Sequence, residues 1–348
     1  MFGDLANNRQ NARLSVHRFQ QIYYRTVAII DTLSSRRSFL GLAAAAAAGC
    51  NREHKRIIGV VPQGQTHLFW QSVHAGAVAA SRETGVEIFW NGPPSEGDFN
   101  GQLKVVDAMI NRHVDAIALS PADKTAAVGV VERAVRENIP VIIFDTGVDT
   151  DVYTARVATD NYGAGQIGAR RLGQILNGKG KIVMVAVQPG VASTMAREQG
   201  FEDVIKKDFP GIQLLDKRYG MAQMAKSLQV AENMLTAHPD LDGLFASNES
   251  STVGAVQALK GRGSRIKMVG FDWSPTLGEG LTSGLIDSLV VQDPFRIGYQ
   301  SVKSAVEKLN GGTPQKIQNL PALLVTRDNL NDPAVQKQLN PDLDKYLR

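Results

Sequence analysis

The sequence predicts an α/β protein built as two doubly wound parallel-sheet lobes, on three observations. Short β-branched runs alternate with helical patterns through most of the chain after Arg56. Nearly 300 of the 348 residues follow the only cysteine, Cys50, which is too much for one ordinary domain of ~100–150 residues and comfortable for two. The halves also share a register. An ungapped shift of 127 residues lays Asp115 on Asp242, Ile117 on Leu244, Ser120 on Ser247, Thr125 on Thr252, Phe144 on Phe271 and Asp145 on Asp272.

The first half opens with a strand at "RIIGVV" (56–61), and the spacing predicts a helix from Trp70 to Glu83. Strand "VEIFW" (86–90), a helix from Phe99 to Asn111, strand "DAIALS" (115–120), a helix from Thr125 to Glu137 and strand "PVIIFDT" (140–146) follow. The rhythm resumes at "KIVMVAV" (181–187), "GIQLLDKRY" (211–219), "DGLFASN" (242–248), "IKMVGFD" (266–272) and "DSLVVQ" (287–292). Alternation at this length calls for parallel strands joined by crossover helices. Open parallel sheets bind ligands beyond the carboxyl ends of their strands, where Asp145 and Asp272 stand, one per lobe. Two such lobes closing like jaws bring both acids to one ligand. Taken singly, each aspartate fits the cap of a following helix equally well.

Residues 1–50 read differently. Arg36-Arg37, then Ser38-Phe39-Leu40 and an Ala-rich run to Gly49, have the charged, greasy, small order of an export signal, and the run is too short to span a bilayer. "SRRSFL" resembles the twin-arginine signal, and Ala47-Ala48-Gly49-Cys50 resembles a bacterial lipobox, in which the cysteine thiol takes a lipid. Residues 1–33 carry no strong domain pattern, as a start codon placed too far upstream would produce. No second cysteine follows, so neither a disulfide nor a thiolate metal site is expected.

The pI of about 9.1 suggests a nucleic-acid partner until the charge is located. Residues 1–49 hold six Arg and two Asp, a net of +4 that equals the balance of the whole chain, leaving 32 basic and 32 acidic residues beyond them. The body is formally neutral, and no nucleic-acid partner is expected.

Eight segments occur in a telling order: "GVVPQGQTHLFWQSVHAGA", "DAIALSPAD", "IPVIIFDTGVD", "ATDNYGAGQIGA", "STMAREQGF", "LTAHPDLDGLFASNES", "MVGFD" and "LVVQDPFRIGYQSV". Together they resemble the type I periplasmic binding proteins of ABC importers, in the branch of ribose-binding protein, over roughly Arg56 to Thr326. The resemblance implies two Rossmann-like lobes joined by three hinge crossings near Asp160, Asp293 and Leu320. The first lobe would then hold 56–159 plus 294–320, and the second 160–292 plus 321–345.

It also implies a ligand site at Phe69 and Trp70, Asp145, Arg197 in "MARE", Asn248 in "ASNES", Asp272 in "GFDW" and Gln292, with Met221 where the family often places an aromatic. Aromatic faces stack on sugar C–H surfaces, while planar polar groups exchange paired hydrogen bonds with vicinal hydroxyls. Two departures argue against ribose itself: His67-Leu68-Phe69-Trp70 replaces Asn-Pro-Phe-Phe, and Asp145-Thr146 replaces Asp-Arg. Trp273 is a further candidate platform, although Trp70 and Trp273 also suit the edge of a core. His67 fits a hydrogen bonder at the rim better than a metal ligand.

The expectation is an exported, lipid-anchored, monomeric binding protein, not an enzyme, that carries a sugar or polyol to an ABC permease without metal or cofactor. A sensor presenting its ligand to a chemoreceptor or kinase reads the same way. A lac-type repressor core shares the fold, but an export signal stands where its DNA-binding helices belong. An NAD-dependent oxidoreductase is the remote rival, because Gly163-Ala-Gly165-Gln-Ile-Gly168 spells G-x-G-x-x-G; the acid due about 20 residues on is missing. No G-x-S-x-G or H-E-x-x-H appears, and the five His after the leader are scattered.

Overall fold

The structure, a computed structural model, describes residues 55–260 and 265–348. Arg36-Arg37, the Ala-rich run and Cys50 lie outside the described residues. One sheet gathers β1 (Ile57–Val61), β2 (Glu87–Trp90), β3 (Ala116–Leu119), β4 (Val141–Phe144) and β5 (Ala155–Thr159), with helices α1 (Leu68–Thr84), α2 (Phe99–Asn111) and α3 (Val128–Arg136) between them. The other gathers β6 (Lys179–Ala186), β7 (Gly211–Tyr219), β8 (Gly243–Ala246), β9 (Lys267–Phe271) and β10 (Ser288–Val291), interleaved with α4 (Asn161–Ile175), α5 (Ala192–Asp208), α6 (Met224–Ala237), α7 (Glu249–Lys260) and α8 (Pro275–Ser283). After α9 (Pro294–Leu309), β11 (Ile317–Leu320) joins the first sheet and β12 (Leu323–Thr326) the second.

The strand orders are β11-β5-β4-β3-β1-β2 and β12-β10-β9-β8-β6-β7, the same winding twice. Every pairing is parallel except that of β12 with β10. The central strands β3, β4, β8 and β10 are buried throughout, which is why they read as unbroken apolar runs. The strands β5, β11 and β12 carry weaker signals: β5 interrupts its apolar residues with Arg156, and edge strand β11 buries only Leu320 fully.

The 127-residue shift maps β3 onto β8 residue for residue and aligns the last residues of β4 and β9. Even the entry bonds repeat. Asp115 accepts from the Ile57 N–H at 2.7 Å, and Asp242 accepts from the Lys181 N–H at 2.8 Å.

The chain passes between lobes after β5 at Asp160, after β10 at Asp293 and between β11 and β12. Asp160 caps α4 through the Gly163 N–H (3.1 Å), and Asp293 caps α9 through the Arg296 N–H (2.9 Å), so the first two crossings each end where a helix is nucleated, while the third runs from strand to strand.

Close glycine contacts set the helix pairs. A Cβ on Gly76 of α1 would lie 1.9 Å from the Phe295 carbonyl oxygen of α9, and one on Gly165 of α4 would lie 1.9 Å from the Arg197 carbonyl oxygen of α5. Two of the G-x-G-x-x-G glycines are thus packing residues: Gly165 lets α4 close onto the turn of α5 that carries Arg197, and Gly168 makes room for the Phe245 ring.

The last two helices divide between the lobes. Helix α10 (Pro333–Leu339) packs Val335 and Leu339 into the second lobe's core. Helix α11 (Leu343–Leu347) then returns to the first lobe. There Arg82 of α1 donates to the Lys345 and Tyr346 carbonyls (2.7 and 3.3 Å), and the Tyr346 ring meets Phe295. Arg82 sits in the last turn of α1, and the free carbonyls of a short terminal helix give its guanidinium an acceptor pair.

Candidate ligand-binding site

The loops at the carboxyl ends of both sheets converge on one narrow cleft, the place where open parallel sheets bind ligands. From the first lobe come Gln63 and His67 after β1, Glu96 after β2 and Asp145 after β4. From the second come Val187 and Val191 after β6, Asn248 after β8 and Asp272 after β9, with Gln292 at the second crossing. Helix α1 adds Phe69 and Trp70, and α5 adds Ser193, Thr194 and Arg197.

The two aspartates are placed by the same local device. The Asp145 N–H donates to the Val157 carbonyl of β5 (2.8 Å), and the Asp272 N–H donates to the Val290 carbonyl of β10 (2.9 Å). The backbone then turns left-handed at each, with φ of 63° and 68°. Asp tolerates that region better than most residues, and non-glycine occupants of it cluster at functional sites. Neither aspartate caps the helix that follows it; α8, for example, starts from Ser274.

The lobes meet across the cleft. The Glu249 carboxylate at the start of α7 accepts from the Phe69 N–H (3.3 Å), so an acid of one lobe sits on the helix N-terminus of the other. The Ser193 N–H donates to Thr146 Oγ1 (3.0 Å), and the Lys124 N–H donates to the Gly190 carbonyl (2.9 Å). Arg197 is 2% exposed; its Nε donates to Asn161 Oδ1 (2.7 Å) and its Nη1 to the Ser247 carbonyl (3.0 Å). Gln292 accepts from Thr159 Oγ1 (2.7 Å) and donates to Asp272 Oδ1 (2.8 Å), tying two crossings to the site.

Electrostatics in this space are dominated by burial. Desolvation pushes Asp145 up to about 7; Arg197 pulls it down, while Asp272 and Glu96 push it higher. Glu249 is likewise raised to about 7 by burial and by Asp272, against His67 and the Leu68 and Phe69 N–H groups. Asp272 is raised by burial, opposed by Arg197, Gln292 and the Glu249 N–H. Burial alone would lower His67, but its 2.6 Å hydrogen bond to Glu96, with Glu249 and Asp272 beyond, carries it up to about 9. Burial lowers Arg197, which still stands as the fixed cation of the cleft.

Of the residues singled out from sequence, His67, Phe69, Trp70, Asp145, Arg197, Asn248, Asp272 and Gln292 line the cleft together. Two do not. Met221 is 43% exposed in a turn where it and Ala222 both take positive φ; only its backbone N–H reaches toward the cleft, donating to the Val187 carbonyl (2.7 Å). Trp273 lines a small neighbouring recess with Leu68, Ser72 and Leu339, packed against the second lobe's core.

Sequence reasoning missed Glu96 and Glu249. Glu249 sits beside Asn248 in the quoted "ASNES", where an acid at a helix start reads as ordinary dipole compensation. Glu96 lies in a Pro- and Gly-rich loop with no periodic signal.

Residues 58–313 match the family described as "Periplasmic binding protein domain". The chain belongs to that family. The D-ribose/D-allose-binding protein of Pseudomonas aeruginosa is 31% identical over 81% of this chain and 90% of its own length, and a ribose import binding protein of Bacillus subtilis is 26% identical over 78% and 87%. Among solved structures, a carbohydrate transporter solute binding protein from Agrobacterium radiobacter in complex with D-arabinose superposes with a TM-score of 0.81 at 30% identity, covering 83% of this chain and all of that one. An ABC transporter solute binding protein from Agrobacterium vitis with bound α-D-tagatopyranose gives 0.79 at 32%, covering 82% and 99%. This periplasmic binding protein is a receptor and not an enzyme, and its family works outside the cytoplasmic membrane.

Proposed function

We propose that this periplasmic binding protein captures a sugar or polyol between its lobes and delivers it to the permease of an ABC importer. One observation carries the reading: Asp145, Arg197, Asn248, Asp272 and Gln292 converge with Phe69 and Trp70 on a single inter-lobe cleft. Planar hydrogen-bonding groups from both lobes suit vicinal hydroxyls, and the aromatic pair offers a surface for the C–H face of a ring. A ligand that touches both lobes stabilises the shut form by its differential affinity for it, and the permease reads that form. No bond of the guest changes.

The test is a thermal-shift screen of pentoses, hexoses and polyols. Saturation at about 100 times Kd adds about 2.7 kcal/mol of apparent stability, so at least one compound should raise the melting temperature by several degrees. A folded protein that ignores the whole panel overturns the reading.

The protein acts as a monomer held at the membrane by lipid on Cys50, after export by a twin-arginine route through Arg36-Arg37. Support comes from the leader's residue order. Cys50→Ala should release the protein from washed membranes into the soluble fraction, and continued membrane attachment sinks the lipid assignment.

A further inference from the structure

Four carboxyl groups, Glu96, Asp145, Glu249 and Asp272, line the cleft against one guanidinium, Arg197, and one imidazole, His67. With all four ionised and His67 protonated, two negative charges would lack a counter-charge from the walls, and burial accordingly holds Asp145 and Glu249 partly protonated near pH 7. The nearby Lys217 is engaged elsewhere, by Glu198 (3.0 Å) and Glu202 (2.8 Å). Buried charges are retained where something pairs them.

Hydrogen bonding sorts the four. Glu96 accepts from Trp70 Nε1 (2.7 Å) and from His67 Nδ1 (2.6 Å). Glu249 takes the Phe69 N–H, and Asp272 takes Gln292 Nε2 (2.8 Å) and the Glu249 N–H (3.0 Å). Asp145, only 5% exposed, takes one long bond from Ser120 Oγ (3.2 Å). Thr146, the next residue, has its hydroxyl committed to the Ser193 N–H. Asn248, 7% exposed, accepts on Oδ1 from the Ser251 N–H (2.9 Å) and Ser250 Oγ (3.1 Å), which leaves its amide N–H groups for the cleft. A hydroxyl can donate to Asp145 but brings no charge to balance its ionised form. An ammonium group donates and neutralises at once.

Resting on the sugar reading above, we propose that the guest is a small polyhydroxylated amine, an amino sugar or amino polyol, whose ammonium group sits against Asp145. The hydroxyls then fall to Arg197, Asn248, Asp272 and Gln292.

The experiment is titration calorimetry of the full chain at pH 7.5 with matched pairs. The 2-amino-2-deoxy and 6-amino-6-deoxy hexoses and the 1-amino-1-deoxy polyols are each set beside the parent compound carrying a hydroxyl. At least one amine should bind at least about tenfold tighter than its parent, and Asp145→Asn should cut that preference below about threefold. Parents that bind as tightly as their amines overturn the inference and leave the sugar reading intact. A preference that survives Asp145→Asn overturns the placement of the ammonium. Silence from both panels overturns the sugar reading and this inference with it.

Discussion

Asp145 at the end of β4 and Asp272 at the end of β9 share a left-handed backbone, near-complete burial and the influence of Arg197, yet different things hold their carboxylates. Asp272 accepts from Gln292 Nε2 and from the Glu249 N–H, and Gln292 is itself bonded to Thr159 of the first crossing and, through its carbonyl, to Gln338 of the C-terminal segment (3.0 Å). Among the described residues, Asp145 accepts from the Ser120 hydroxyl alone. A duplicated backbone therefore carries unequal chemistry. The second lobe uses its aspartate to fasten the crossings and the start of α7, while the first lobe holds its own by a single long hydrogen bond.

The largest expected effect tests that inequality directly. Asp272→Ala orphans a buried amide and a buried N–H, at about 1–3 kcal/mol for each unsatisfied group. Asp145→Ala orphans one hydroxyl and removes a desolvated carboxyl group, so its cost to the ligand-free fold should be near zero. In urea melts of ligand-free protein at pH 7.5, Asp272→Ala should be less stable than Asp145→Ala by at least about 2 kcal/mol. Equal losses, or the reverse order, would break the comparison and make Asp145 as structural as its counterpart.

How much of this was legible depends on the kind of signal. The repeated winding is written in apolar strand cores such as "DAIALS" and "DGLFASN", because strands buried on both faces must be apolar whatever the ligand. The matched aspartates were legible because a strand end is a fixed place. Glu96 and Glu249 were not, since their meaning comes from the opposite lobe: Glu249 matters because α1 presents its N-terminus across the cleft. The exposed position of Met221 was illegible for a related reason, as two successive positive-φ residues redirect the chain there, which residue type alone does not announce. The return of α11 to the first lobe depends on Arg82 reaching two carbonyls some 260 residues away, beyond any local pattern.

A subtler separation of the two aspartates lies in the pH dependence of stability. Asp145, raised to about 7 from an ordinary 3.8, holds in the native state a proton that the unfolded chain has lost over that interval. Its contribution therefore falls as pH rises from about 4 to 7 and is level above that. Glu249, raised to about 7, acts in the same direction, as does Asp272. His67, raised to about 9, adds stability that is full below 6.5 and lost as pH climbs through 9. Glu83, Asp149 and Asp240, exposed carboxylates lowered by lysine partners, work the other way, so the informative quantity is variant minus parent. Asp145→Asn should remove the decline between pH 5 and 7 more completely than Asp272→Asn, whose parent carboxylate has two donors favouring its charged form. Melting temperatures of ligand-free protein at half-unit steps from pH 5 to 9 measure this. If Asp145→Asn leaves the slope between pH 5 and 7 unchanged, the carboxylate is already wet or paired before any guest arrives, and the two lobes are chemically as alike as their backbones.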